Sequence, residues 1–287
     1  MEKLVIKNQD SFKLKDIFEC GQCFRWEPKE DGSYIGIIKE GVLRVYQDEN
    51  TITFEGNLEG DFKEIVYNYF DLNTDYNIYK QKLSKVDKYM KESICYGDGI
   101  RILRQDLWET IISFIISANN NIPRIKKIIG SISKKYGKKV EFEGQDYFLF
   151  PTVEELSKAT VEELRSLGTG FRDIRIFNTT RMIKSKEVDL DYIKSLDDSS
   201  KIEEELLKLD GVGPKVADCI MLFALKREDV FPIDVWVRRV MNDLYIHNEI
   251  EEKVSKKEIN KIAKEKFGNL SAIAQQYLFY WKREEGK

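Results

Sequence analysis

Histidine is almost missing from this chain: His247 stands alone among 287 residues. That scarcity argues against reactions built on imidazole and against histidine-ligated metal centres. Cysteine is nearly as sparse, with four. Cys20-Gly21-Gln22-Cys23 has the spacing of a zinc half-site, but Cys95 and Cys219 are isolated, so the other half is lacking. No cysteine quartet follows toward the C-terminus, which excludes an iron–sulfur cluster. No thioredoxin-like strand-and-helix pattern surrounds the Cys-x-x-Cys either, so reduced structural thiols are expected. Long uncharged runs are absent. Met1-Glu2-Lys3-Leu4-Val5-Ile6-Lys7 breaks its apolar stretch with charge too early for a signal peptide, and no later segment could cross a membrane. A cytoplasmic location is the expectation. There is no excess of positive charge, and a formal net charge of −3 weighs against a simple polyanion binder. Basic residues do gather locally, at Arg101, Arg104, Arg124, Lys126, Lys127, Lys134, Lys135, Lys138 and Lys139, either as a solvated face or as a binding track.

What remains is enough for a sizeable folded protein. Apolar residues make up 42% of the chain, which argues against disorder, and the length suits about two domains. To about residue 60 the pattern reads as short strands: Leu4 to Ile6, Cys23 to Trp26, Tyr34 to Ile38, Leu43 to Tyr46 and Ile52 to Phe54. Asp31-Gly32 and Glu40-Gly41 supply turns for an antiparallel sheet. After Gly60 the pattern reads as helical to the end. Asp106 to Ala118 is apolar on nearly all sides, as in a buried central helix, and further helices are expected at 122–136, 153–166, 172–185, 201–208, 215–226, 235–246, 255–267 and 270–284. Strands followed by a long series of helices give an α+β fold. Residues 1–98 form a sheet domain with some helices, and residues 99–287 a helical domain.

The most informative segment is Leu209-Asp210-Gly211-Val212-Gly213-Pro214-Lys215-Val216-Ala217-Asp218, with Asp234 nineteen positions after the lysine. Gly211 and Gly213 permit a tight turn whose N–H groups can approach a phosphate. Pro214 suits the first position of a helix, and Val216, Cys219, Ile220, Phe223 and Ala224 recur as its buried stripe. Lys215 therefore lies in the first helical turn. A free lysine, with a pKa of roughly 10.4, carries a handicap of about 4 kcal/mol as a nucleophile near neutral pH. The positive helix end lightens it by about 0.3–1 kcal/mol, and desolvation must supply the rest. Asp234 can accept a proton and stabilise developing positive charge, and it can equally be the N-cap of the next helix. The two roles are compatible.

The hairpin, its lysine and the later Pro232-Ile233-Asp234-Val235 resemble the helix-hairpin-helix DNA glycosylase superfamily, and in particular its 8-oxoguanine DNA glycosylase branch. The resemblance implies two helical lobes flanking a cleft, with the sheet as the N-terminal domain of that branch. It implies that Lys215 attacks the sugar C1′, expels the base and holds the sugar as a Schiff base, that Asp234 assists, and that strand cleavage by β-elimination follows. The partner would be double-stranded DNA containing 8-oxoguanine, acted on by a monomer, nucleoid-associated in a prokaryote.

On the last helix Gln275 and Phe279 share a face beside the core stripe, an arrangement suited to packing on the sheet or to reading an extruded base. The resemblance favours the latter, with Cys219 on the base's other face and the carbonyl of Gly21 telling 8-oxoguanine from guanine at N7. By the same resemblance Asn119 fills the gap left by the extruded nucleotide, Arg124 and Arg172 contact the opposite cytosine, and Phe171 wedges beside it. Asn119-Asn120-Asn121 also reads as helix punctuation. The chain departs from the familiar pattern at Phe171, where tyrosine is common, and at Trp236, where a phosphate-contacting histidine is common. No cofactor is required; the carbonyls of Leu207, Leu209 and Val212 could hold a structural cation. The alternatives are a glycosylase of the same superfamily for another damaged base, and a non-catalytic helix-hairpin-helix DNA-binding module.

Overall fold

Alternating apolar residues and glycine turns build the first layer in the computed structural model, which describes residues 1–7 and 9–285. Strands β1 (Glu2–Lys7), β2 (Trp26–Pro28), β3 (Tyr34–Ile38), β4 (Gly41–Asp48) and β5 (Thr51–Gly56) form an antiparallel sheet in the order β1-β5-β4-β3-β2. Helix α1 (Leu14–Glu19) interrupts the first crossing. The second expected strand does not pair at Cys23 to Trp26 but from Trp26 onward. Gln22 explains the delay. Its fully buried side chain donates to the carbonyls of Ile17 and Arg101, both at 2.8 Å, and accepts from Leu103 N–H at 2.8 Å, holding residues 20–24 as a loop under the sheet.

Helices α2 (Phe62–Tyr69), α3 (Tyr76–Leu83) and α4 (Lys88–Tyr96) lead to the apolar α5 (Leu107–Ser117) and to α6 (Ile122–Tyr136). The helical series is then broken by an unexpected hairpin, β6 (Lys139–Phe142) and β7 (Gln145–Phe148). Its two central residues, Glu143 and Gly144, both have positive φ, at 50° and 72°. Such a turn fits the strand twist, but Glu-Gly is a weaker signal for it than Asn-Gly. The expected helix over 153–166 is two, α7 (Val153–Leu156) and α8 (Val161–Leu164), each opened by its own capping box at Thr152/Glu155 and Thr160/Glu163. Then follow α9 (Asp173–Lys184), α10 (Leu190–Ser195), α11 (Ser199–Leu206), α12 (Pro214–Leu225), α13 (Val235–Met241), α14 (Lys256–Phe267) and α15 (Ser271–Glu285). The expected helix to 246 keeps α geometry only to Met241, continues as a wider turn and stops at His247, whose φ is 58°.

Apolar packing forms two main cores. One joins the sheet, α1 and α2 around Phe18, Trp26, Phe54 and Phe70. The other runs through all the later α-helices and takes in Leu83, Met90 and Ile94, so α3 and α4 pack with the helical part, α4 directly on α15. No helix among the described residues is long and apolar enough to cross a membrane.

Candidate active site

The turn between α11 and α12 is built by backbone alone. Leu209 N–H donates to Leu206 and Val212 N–H to Leu209, each at 3.1 Å. Gly211 has φ +87°, and a Cβ there would stand 2.9 Å from Arg175 Cδ, so glycine is required twice over. Gly213 differs from expectation. Its φ of −100° suits any residue, and a Cβ would meet nothing within 4 Å, so its smallness leaves room only for something outside the fold. Asp210 anchors the turn to α9, accepting from Asn178 through its carboxylate and from Thr179 through its carbonyl, both at 2.8 Å. The carbonyls of Leu207, Leu209 and Val212 belong to this turn and are oxygen donors of the kind hard cations take, though that of Leu209 is shared with the Val212 amide.

Lys215 is half-buried in the first turn of α12, its Nζ 5.3 Å from the centre of the Phe114 ring. Among the described residues no carboxylate forms an ion pair with it. One turn on, the thiol of Cys219 is buried and pushed up to about 11 by desolvation; the charge of Lys215 opposes that rise, and Asp218 and Asp234 add to it. Cys219 thus lies within reach of the charges of both Lys215 and Asp234. Asp234 is the N-cap of α13, its Oδ1 accepting from Val237 N–H at 2.7 Å. Trp236, two residues on, is half-buried with no partner for its Nε1 among the described residues.

A second group of residues gathers at the far end of the sequence. Gln275 is 6% exposed and Phe279 half-buried on α15. Gly21 has φ +90°, and a Cβ there would lie 3.2 Å from Phe279 Cε1 and 3.0 Å from Arg283 Nη1. The segment leading into Gly21 is held by α15 at two points. Gln276 donates to the Cys20 carbonyl at 2.7 Å, and Arg283 Nη2 donates to the Glu19 carbonyl. Sequence reasoning missed Gln22, Gln276 and Arg283. Their signal was polarity inside apolar surroundings, since a buried amide must find partners. The two thiols of the Cys-x-x-Cys segment are buried and free, with Sγ of Cys20 donating to the Ile17 carbonyl at 3.4 Å.

The third group lies at the ends of α5 and α8. Asn119 is exposed with φ 52°, just beyond α5. Arg172 is only 2% exposed, and its guanidinium donates to the carbonyls of Ala118, Asn119 and Thr169. Its donors therefore shape the Asn119 turn. Phe171 is 56% exposed, with Arg172 at 4.3 Å and Arg175 at 5.5 Å from its ring centre. Arg124, exposed, reaches the Gly168 carbonyl at 3.4 Å. Desolvation and the charges of Arg124 and Arg175 together press the Arg172 guanidinium down. Arg175 was not foreseen. A bare aromatic flanked by Arg172 and Arg175 suits stacking against a base, and the exposed Arg124 nearby suits neutralising a phosphate.

The basic run foreseen around residues 101–139 does not make one track. Arg101 is 1% exposed and serves the carbonyls of Phe70, Asp71 and Thr74, and Arg104 pairs with Asp71. Lys135, Lys138 and Lys139 are paired with Glu163, Glu59 and Asp146. Of that run, Arg124 alone joins the cluster at Phe171.

Known proteins resemble this chain along most of its length. A solved structure of the Clostridium acetobutylicum 8-oxoguanine glycosylase/lyase, in complex with double-stranded DNA containing cytosine opposite to 8-oxoG, is 46% identical with a TM-score of 0.94, covering 100% of this chain and 97% of that one. The N-glycosylase/DNA lyase of Saccharomyces cerevisiae is 35% identical over 83% of this chain and 69% of its own. The Arabidopsis thaliana N-glycosylase/DNA lyase OGG1 is 29% identical over 91% of this chain and 75% of its own. Residues 4–111 match the model of the 8-oxoguanine DNA glycosylase N-terminal domain, and residues 112–268 that of the HhH-GPD superfamily base excision DNA repair proteins. The two matches abut, and together they place both the sheet with its Gly21 loop and the hairpin with Lys215: the chain belongs to the HhH-GPD superfamily, in the branch that carries the 8-oxoguanine DNA glycosylase N-terminal domain.

Proposed function

We propose that this protein excises 8-oxoguanine from duplex DNA and then cleaves the strand at the resulting abasic site, with Lys215 as the nucleophile. The observation that carries the assignment of Lys215 is an amine in the first turn of α12, free of any ion pair among the described residues, beside a buried Cys219 that senses both it and Asp234. Once deprotonated, Nζ bonds to C1′ as the glycosidic C–N bond breaks, and the base leaves with the bonding pair. Asp234 stabilises the positive charge that develops on the sugar. Nζ then gives up a proton, the C1′–O4′ bond breaks with its electron pair passing to O4′, which takes up that proton, and a protonated imine joins Nζ to C1′. Removal of a C2′ proton expels the 3′ phosphate, which nicks the strand.

Gln275 and Phe279 read and stack on the flipped base, Cys219 covers its other face, and the Gly21 carbonyl accepts from N7–H, a donor that guanine lacks. Asn119, Arg124 and Phe171 line the face that meets the opposite nucleotide, and the buried Arg172, expected to contact that cytosine, instead holds the Asn119 turn from beneath. The backbone of Gly211 and Gly213 meets a phosphate, and a cation at the carbonyls of Leu207, Leu209 and Val212 would serve that same contact.

Borohydride reduction tests the covalent step. The protein is expected to become trapped on a duplex containing 8-oxoguanine, and Lys215→Gln to abolish both the adduct and base release. An adduct formed normally by that variant would refute the assignment. A panel of duplexes with alkylated bases or oxidised pyrimidines checks the substrate, with 8-oxoguanine expected to be preferred.

A further inference from the structure

The clasp around Gly21 contains one donor that the fold does not use. Arg283 commits Nη2 to the Glu19 carbonyl and Nε to the Glu284 carboxylate, the latter at 3.2 Å. Its Nη1 is shielded from solvent and has no hydrogen-bond partner among the described residues. This nitrogen lies 3.0 Å from where a Cβ on Gly21 would stand, and the guanidinium carbon is 5.3 Å from the centre of the Phe279 ring. A buried cationic N–H without an acceptor is costly. Its position beside Gly21 and Phe279 points to an acceptor that arrives with the substrate.

The chemistry of the lesion supplies one. 8-Oxoguanine differs from guanine along a single edge, where N7 gains a hydrogen and the adjacent C8 gains a carbonyl. An acceptor and a donor set side by side read both changes at once. The Gly21 carbonyl and Arg283 Nη1 are neighbours of that kind, whereas guanine has no carbonyl at C8. We infer that Arg283 is a specificity-determining residue that donates from Nη1 to the C8 carbonyl of the flipped base. The inference rests on the reading that Gly21 and Phe279 border the base slot.

The test is binding, measured in the uncleaving Lys215→Gln background with duplexes containing 8-oxoguanine, 8-oxoadenine or guanine. 8-Oxoadenine keeps N7–H and the C8 carbonyl but lacks the carbonyl at C6. Arg283→Met is expected to weaken both lesion duplexes by a common factor of roughly ten to a hundred, the range for a hydrogen bond from a charged group. Binding to the guanine duplex should change far less. A loss confined to 8-oxoguanine would move the contact to C6 and overturn the assignment. An equal loss on the guanine duplex would overturn it too, because it marks a merely structural role. Arg283→Lys, which keeps the charge and the stem, is expected to show the same split at smaller amplitude and guards against misfolding of the methionine variant. Phe279→Ala in the same background separates the two levels. If lesion binding survives Phe279→Ala, the slot itself is misassigned; if it falls there but survives Arg283→Met, only the donor is.

Discussion

Asp234 is the N-cap of α13, and the proposed function gives it a second duty that substitution can separate from the first. As an N-cap it needs a side-chain oxygen for Val237 N–H, which asparagine also offers; as a charge stabiliser it needs the carboxylate. Asp234→Asn is expected to melt near the wild-type temperature while excision falls by roughly 10²- to 10⁴-fold, the span of a positioned acid–base group. Asp234→Ala should lose about 1 kcal/mol of stability besides. Thermal melts with single-turnover excision check the pair, and loss of activity only in proportion to loss of fold would remove the chemical role. Lys215 and Asp234 were legible in the sequence because a glycine turn, a helix start and a cap each leave a local signature. Arg172 was less so: nothing in its neighbours shows that its donors go to the carbonyls of Ala118, Asn119 and Thr169.

The helix that carries Lys215 also carries a titration. Burial raises the Asp218 carboxyl to about 7, with Glu203 and Asp229 adding to the rise and Lys256 and Lys215 opposing it. Folded Asp218 thus holds its proton more tightly than it does in the unfolded chain, whose carboxyl sits near 3.8. Its charge works against stability above about pH 7, and the penalty fades as pH falls from there toward 4. Asp218→Asn should melt a few degrees above wild type at pH 8, keep part of that lead at pH 5 and converge with it by about pH 4. An offset that did not vary with pH would contradict this. Helices with strong caps, such as α6 behind Asn121 and α14 behind Ser255, lay within a residue of expectation. The β6–β7 hairpin and the break between α7 and α8 did not, because one turns on an unusual Glu-Gly pair and the other on a second threonine cap inside an apparently continuous helical pattern.

Across the molecule, sheet and helices are joined by polar groups that a hydrophobic pattern cannot reveal. Gln22 ties the loop after α1 to the strand-like stretch at Arg101 and Leu103. Nearby, a cavity of about 260 Å³ is lined by Arg25 and Glu109, whose carboxyl burial lifts to about 7 against the pull of the Arg25 charge. Gln22→Ala removes three side-chain hydrogen bonds, strands the buried Leu103 amide and Arg101 carbonyl, and leaves the Ile17 carbonyl only the weak Cys20 thiol as a donor. A cost of about 2–4 kcal/mol follows, read as a melting temperature lower by roughly 5–12 °C. Excision should weaken further than stability alone requires, since Gly21 loses its support. A variant that melted like wild type would show the junction to be held by packing instead. The α+β order of the two parts was readable from the change in hydrophobic period near residue 60. The grouping of α3 and α4 with α15 was not, since it depends on contacts distant in sequence.

The bond from Gln276 to the Cys20 carbonyl spans 256 positions. Closing so long a loop must follow local folding, because its entropic cost is met only after the shorter contacts exist. During synthesis the amine of Lys215 leaves the ribosome some sixty residues ahead of Gln275 and Phe279. Under the proposed function the growing polypeptide therefore owns a nucleophile before it owns a way to choose a base, and discrimination is acquired only when α15 folds back across the loop at Gly21.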